Sequence, residues 1–92
     1  MGTEAQGKGA AAYRNGSYEE ARDALLIAVE LSTTESADRF FFLAMTLEKL
    51  GDRDGARRWY DRAVARMDET YPKNPEFVAL KQEATELLGS GP

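Results

Sequence analysis

The chain has 92 residues, 42% of them hydrophobic and 30% charged, which fits one soluble globular domain and is too short for two of usual size. Sixteen acidic against twelve basic residues leave a formal net charge of -4, which disfavours general binding to nucleic acid or to anionic membranes. The absence of cysteine and histidine excludes disulfides, thiolate nucleophiles, imidazole bases and the usual zinc and copper ligands.

The sequence contains no run of about 18 apolar residues, and it does not begin with a basic segment followed by an apolar one. We therefore expect neither a membrane-spanning helix nor a signal peptide, and we expect a cytoplasmic location. Acidic residues are numerous, but none accompanies a nucleophile, and there is no glycine-rich phosphate loop. We therefore expect a protein without enzymatic activity, metal site or cofactor.

Capping and turn residues divide the chain into five predicted helices. Capping boxes, which satisfy the first free N–H groups of a helix, lie at Thr3 with Gln6 and at Ser17 with Glu20. Turn and stop signals lie at Asn15-Gly16, Gly51-Asp52, Asn74-Pro75 and Gly89. The predicted helices cover residues 4–15, 18–31, 37–50, 53–70 and 75–88. No stretch alternates as a strand would, so the predicted fold class is all-α.

Apolar residues recur at spacings of three and four along these segments, as they do on the buried face of a helix. The third and fourth helices show the clearest stripes, which are Phe40, Leu43, Ala44 and Leu47, and Ala56, Tyr60, Ala63, Val64 and Met67. The first helix has only alanines, Gly9 and Tyr13 to bury. We expect that helix to fray most easily.

Small residues recur along the chain at an interval of 35 positions. This shift places Gly16 on Gly51, Ala21 on Ala56 and Ala28 on Ala63. Closely packed helices need small residues at their contacts, because a large side chain would hold the two backbones apart. The sequence therefore predicts an internal repeat of helical hairpins.

The segments 16–21 and 40–72 resemble tetratricopeptide repeats, in which aromatic, leucine and small residues recur on two paired helices. The matching residues of the second repeat are Phe40, Leu43, Ala44, Leu47, Ala56, Tyr60 and Ala63, with leucine in place of one aromatic. In the first repeat Gly9, Ala21, Leu25 and Ala28 match, whereas Ala5, Lys8 and Ala12 stand where larger apolar residues are expected. The resemblance implies an α-α superhelix of antiparallel helix-turn-helix repeats.

The resemblance also implies a single domain over residues 3–88. It divides the domain into repeat one at about 3–35, repeat two at about 37–70 and a capping helix at about 75–88, followed by a flexible tail at 89–92. Stacked repeats usually need three or more units to be stable. We therefore expect modest stability, and we expect the chain to be a fragment of a longer protein.

In the family that the sequence resembles, the first helix of each repeat lines a concave groove that holds a peptide. The matching positions are Gln6, Ala10, Tyr13, Arg14, Phe41, Phe42, Met45, Glu48 and Lys49. Three consecutive phenylalanines cannot all face one way at about 100° per residue, so at least one should lie outside the local helix-pair core. Phe41 and Phe42, beside the adaptable Met45, are candidate anchors for a partner. The alternative is that Phe41 or Phe42 packs against the first repeat or the second helix.

Two kinds of charged ligand are not expected. Some family members hold a terminal carboxylate with lysine and asparagine, but the matching positions here are Gln6, Ala10 and Phe42. The fourth helix carries a ridge of arginines at Arg58, Arg62 and Arg66. This ridge could bind phosphate or an acidic partner. Acidic residues three or four positions away can pair with much of its charge, so we do not expect a specific anionic ligand there.

These features predict a non-catalytic protein–protein interaction module that binds a peptide or protein segment in its concave groove. The alternative is a structural module of a larger scaffold, which spaces neighbouring domains or forms a homo-oligomer by burying Phe41, Phe42 and Trp59 against another copy. No nucleic acid or membrane is expected as a partner. The sequence leaves open whether the protein's own last helix occupies the groove.

Overall fold

The computed structural model describes residues 4–31 and 37–89, with side chains described from Gly9 onward. This part of the chain contains five α-helices and no strand, which confirms the all-α prediction. The helices are α1 (Glu4–Arg14), α2 (Tyr18–Leu31), α3 (Ala37–Lys49), α4 (Arg53–Thr70) and α5 (Pro75–Gly89). Each bound lies within one residue of its prediction. The Thr3 capping box and the tail beyond Gly89 fall outside the described residues.

The hairpins α1–α2 and α3–α4 share one turn geometry. Gly16 and Gly51 have φ values of 85° and 90°, in the left-handed region that glycine adopts without steric cost. In each turn the N–H after the glycine donates to the carbonyl five residues earlier, as in a Schellman cap. The two bonds run from Ser17 N to Ala12 O at 2.8 Å and from Asp52 N to Leu47 O at 2.9 Å. The turns therefore repeat at the predicted interval.

Side-chain caps begin the last two helices. The Asp52 carboxylate accepts a hydrogen bond from Gly55 N at 3.0 Å, so Asp52 both completes the turn and caps α4. Asn74 Oδ1 accepts from Glu76 N at 2.9 Å and from Phe77 N at 3.3 Å. These bonds confirm the predicted cap at Asn74, and they fix the point at which the chain turns from α4 into α5.

The core is centred on α3, which contacts each of the other four helices. The predicted stripe on α3 is fully buried. On α4 the predicted small and sulfur-containing residues Ala56, Ala63 and Met67 are buried, while Tyr60 and Val64 are half-buried. A helix with neighbours on every side buries more than one stripe, and α3 accordingly buries Phe41, Met45 and Thr46 as well.

Helix α5 lies mainly against α3 and to a lesser extent against α4. Ala84 is its fully buried residue, and Phe77, Val78, Leu80 and Leu87 pack partly exposed against the core. The Tyr60 hydroxyl and the Thr85 hydroxyl share a hydrogen bond of 2.6 Å between α4 and α5. This position leaves one face of α5 turned toward the end of α1.

Candidate functional site

A groove of about 320 Å³ lies between the C-terminal ends of α1 and α3 and one face of α5. We call this groove the inner cleft. Its lining residues are Tyr13, Lys49, Glu83, Glu86 and Leu87. Tyr13 and Lys49 belong to the predicted groove, whereas the three residues from α5 were not predicted. The inner cleft therefore combines positions that lie far apart in the sequence.

An ion pair stands beside the inner cleft and joins the first helix to the last. The Arg14 guanidinium donates two hydrogen bonds to the Glu83 carboxylate, from Nη1 to Oε2 at 2.5 Å and from Nη2 to Oε1 at 3.0 Å. The side chains of Arg14 and Glu83 are 53% and 38% exposed. An ion pair this open to water contributes at most about 1 kcal/mol to stability. The ion pair therefore orients the Arg14 and Glu83 side chains more than it stabilises the fold.

Two aromatic rings orient the Arg14 guanidinium. Its Cζ lies 5.6 Å from the ring centroid of Tyr13 and 5.4 Å from that of Phe42. The two rings are 6.0 Å apart and meet edge to face. Cation–π attraction at these distances favours a guanidinium that stays over the rings. Arg14 is thus held by α1 and α3 together, with its donor groups directed at α5.

Tyr13 supplies a protonated hydroxyl to this region. Burial raises the pKa of the Tyr13 phenol above its ordinary value, the nearby carboxylate of Glu83 and the phenol of Tyr18 raise it further, and Arg14 opposes the shift. The phenol therefore stays protonated at neutral pH and can donate a hydrogen bond. The hydrogen bond that Arg14 donates to Glu83 raises the pKa of Arg14, which keeps its positive charge.

The three consecutive phenylalanines of α3 take three different directions, as their angular spacing requires. Phe40 packs on Trp59 at 5.3 Å between ring centroids, and Phe41 meets the edge of Tyr60 at 6.0 Å. Phe42 is half-buried and turns toward Tyr13 in the first hairpin. This position of Phe42 agrees with the alternative in which it packs against the first repeat.

Two predicted anchors present no side-chain surface to a partner in this arrangement. Phe41 and Met45 are both 0% exposed, because α3 is surrounded by the other four helices. Among the remaining predicted groove residues, Ala10 is half-buried and Glu48 Oε2 lies 3.7 Å from Arg53 Nε, on the side where α4 begins. The side chain of Gln6 falls outside the described residues. The structure thus brings together Tyr13, Arg14, Phe42 and Lys49.

Two of the three arginines in the predicted ridge of α4, Arg62 and Arg66, make contacts within the chain. The Cζ of Arg62 lies 4.6 Å from the Trp59 ring centroid and 4.9 Å from that of Phe40. Arg66 Nη1 lies 3.6 Å from Glu69 Oε1, the pairing that the sequence spacing predicts. The guanidinium groups of Arg62 and Arg66 are therefore already engaged by aromatic rings and a carboxylate, and are less available to a ligand.

A second groove, of about 560 Å³, lies on the other side of α5, next to the end of α4. Its lining residues are Met67, Pro72, Val78, Lys81, Gln82, Thr85 and Glu86. It contains none of the predicted groove residues, and it lacks an aromatic wall. The inner cleft is therefore the better candidate for a binding site.

No family model, no curated protein and no solved structure matches this chain. Among the residues that the structure describes, no group of three acidic side chains could hold a metal ion. None of the described helices combines the length and apolar character that crossing a bilayer requires. A function for this chain is therefore inferred from the geometry of the inner cleft.

Proposed function

We propose that this chain is a non-catalytic, tetratricopeptide-like module that holds a peptide or protein segment in its inner cleft. The observation that carries the proposal is the meeting of Tyr13, Lys49 and Leu87, from three different helices, around one open groove. Tyrosine is among the residues that are enriched in protein-binding hot spots, and here it lines the groove together with an aliphatic side chain and an exposed charge. The arrangement offers an apolar contact and a polar contact within one small site.

The dimensions of the inner cleft favour a side chain over a small-molecule ligand. Its volume of about 320 Å³ is at the lower end of the range for small-molecule pockets, about 300 to 1,000 Å³. The cleft is also open along its length, with Lys49 and Glu86 both exposed. A segment that crosses it can insert one side chain and continue along the surface. We propose the cytoplasm as its location, an expectation that comes from the sequence alone.

A charge-reversal pair tests this function. Lys49→Glu changes the inner cleft, and Lys73→Glu makes the same change in the exposed loop before α5, outside the cleft. We expect Lys49→Glu to reduce the capture of partner proteins from the source cell, as measured by quantitative mass spectrometry. Lys73→Glu should capture the same proteins as the unaltered chain. Equal capture by all three chains would refute the proposed cleft.

A second candidate function is self-association through the outer face of α2. Ile27 and Leu31 are 50% and 77% exposed and lie four residues apart on that face, with Leu26 38% exposed beside them. The aromatic residues that the sequence suggests for self-association are less available for contact with another copy, because Phe41 is buried and Trp59 is half-buried. Sedimentation velocity over a concentration series separates the two functions. A strict monomer at high concentration would eliminate self-association.

A further inference from the structure

Beside the inner cleft lies one group whose ligand chemistry can be specified, the Arg14 guanidinium, which is paired with the cleft residue Glu83. We infer that the partner segment is acidic and that one of its carboxylates replaces Glu83 on Arg14. This inference depends on the proposed function, because it names the chemistry of the segment that the inner cleft holds. It differs from the terminal-carboxylate recognition considered in the sequence, since Arg14 lies at none of those positions.

Arg14 is arranged for a carboxylate before any partner arrives. Its Nη1 and Nη2 atoms donate in parallel to the two oxygens of Glu83, the bidentate geometry that guanidinium and carboxylate groups share. The rings of Tyr13 and Phe42 hold the guanidinium carbon within 6 Å of their centroids. Little side-chain ordering remains to be done when an external carboxylate binds. A pre-oriented donor pair gives affinity that a mobile surface arginine would not give.

Glu83 can release Arg14 at small cost. A carboxylate that replaces another carboxylate preserves both hydrogen bonds to the guanidinium. The Glu83 side chain is already 38% exposed, so it returns to water without first being uncovered. Exposed ion pairs of this kind stabilise a fold only weakly. The exchange therefore leaves α5 held by its buried Ala84 and by the Tyr60–Thr85 hydrogen bond.

The other charges at the inner cleft define the rest of the ligand. Lys49 is exposed and lines the cleft, so it can receive a second acidic side chain. Leu87, which lies four residues after Glu83 on α5, provides an apolar contact beside the carboxylate position. Glu86 also lines the cleft, and its charge opposes an acidic ligand. The favoured partner is thus a segment with acidic residues on both sides of an apolar residue.

The test uses the full chain and three fluorescein-labelled peptides that differ only in charge. The first contains Glu-Glu-Leu-Glu-Glu, and the other two carry Gln or Lys in place of every Glu. We expect the acidic peptide to bind roughly tenfold more tightly than the Gln peptide in fluorescence anisotropy, the difference that one charged hydrogen-bonding contact produces. The amide signals of Tyr13 and Lys49 should shift on its addition.

Substitutions of the acidic residues and of Arg14 should change acidic-peptide binding in opposite directions. Glu83→Gln removes the internal competitor, so it should tighten binding of the acidic peptide, and Glu86→Gln should do the same by removing repulsion. Arg14→Gln should abolish the preference for the acidic peptide. Arg14→Lys keeps the charge without the bidentate fork and should retain part of the preference. Circular dichroism of each variant shows whether the helices persist.

The outcomes separate this inference from the proposed function. If the Gln peptide shifts the cleft signals and binds as tightly as the acidic one, the acidic partner is refuted while the cleft stays a binding site. Preference for the Lys peptide would also overturn the inference, with Glu83 and Glu86 as the recognising groups. Weaker acidic-peptide binding in Glu83→Gln would show that the ion pair is needed only to position α5. If no peptide binds, the inference fails. The capture experiment with Lys49→Glu and Lys73→Glu then tests the proposed function separately.

Discussion

Gly9 of α1 lies so close to Leu25 of α2 that a Cβ atom placed on Gly9 would stand 2.6 Å from Leu25 Cγ. Leu25 is fully buried, so it has no solvent to move into. The contact between the first two helices therefore depends on the missing side chain. This requirement explains why a glycine, a poor helix former, stands inside α1.

The Gly9 contact predicts that Gly9→Ala destabilises the protein although alanine favours the helix. The gain in helix propensity, up to about 1 kcal/mol, is opposed by overpacking, which typically costs about 1 to 3 kcal/mol. We expect a net loss of about 1 kcal/mol in the free energy of unfolding, measured by urea denaturation. Gly89→Ala is the control, because nothing lies within 4 Å of the position of its added methyl group. A more stable Gly9→Ala protein would contradict the packing.

The neighbouring residues Phe41 and Phe42 should differ sharply in how much each contributes to the free energy of unfolding. Phe41 is 0% exposed, so Phe41→Ala should cost about 3 to 5 kcal/mol of stability, enough to unfold a protein of modest stability. Phe42 is half-buried, and we expect Phe42→Ala to cost about half as much. Thermal unfolding followed by circular dichroism gives the comparison. Equal losses, or a larger loss for Phe42→Ala, would show that α3 is oriented differently.

Local signals account for most of what the sequence predicts correctly about the fold. The caps and turns at Gly16, Gly51 and Asn74 act within a few residues, so their effect can be derived from short patterns. The burial of Phe41 and Met45 could not be derived in this way. Periodicity gives the direction of a side chain on its own helix, but it does not give the number of neighbouring helices, and α3 contacts four.

Only the part of the inner cleft that α1 and α3 form could be predicted from the sequence. Tyr13 and Lys49 of the cleft, and Arg14 beside it, are at positions that the resemblance to tetratricopeptide repeats places in a groove. Glu83 and Arg14 are 69 residues apart in the chain, and their meeting depends on how far α5 slides and rotates along α3. No spacing within α5 encodes that offset. The position of the last helix relative to the groove therefore does not follow from the sequence.

The cap at the start of α5 gives a further prediction. Asn74→Ala removes the acceptor for the N–H groups of Glu76 and Phe77 and should cost about 1 kcal/mol. Asn74→Asp keeps a side-chain oxygen and should be close to neutral. Amide hydrogen exchange at Glu76 and Phe77 should accelerate in the alanine variant. Equal damage by both substitutions would exclude a capping role.

The pKa of Tyr13 predicts a loss of stability in alkali. Burial raises this pKa above the ordinary value of 10.0, with Glu83 and Tyr18 adding to the shift. The folded chain therefore keeps the phenol proton to higher pH than the unfolded chain does. The stabilisation is complete below about pH 10, the ordinary pKa of a tyrosine in the unfolded chain, and is lost as the pH rises through the folded pKa.

Denaturation at a series of pH values measures this loss. Tyr13→Phe should flatten the fall in unfolding free energy above about pH 10. Tyr71→Phe is the matched control, because Tyr71 is 64% exposed. A fall that persists unchanged in Tyr13→Phe would assign it to another group.

The most direct measurement of the proposed function is site-specific photo-crosslinking in the source cell. A photoreactive amino acid in place of Glu86, which lines both the inner cleft and the second groove, reports on the grooves beside α5, and its dependence on Lys49 assigns an adduct to the inner cleft. The same amino acid in place of the exposed Asp61 reports on the outer side of α4. We predict a protein adduct from position 86 that Lys49→Glu diminishes, and none from position 61. Adducts from position 61 alone would contradict the inner cleft as the binding site.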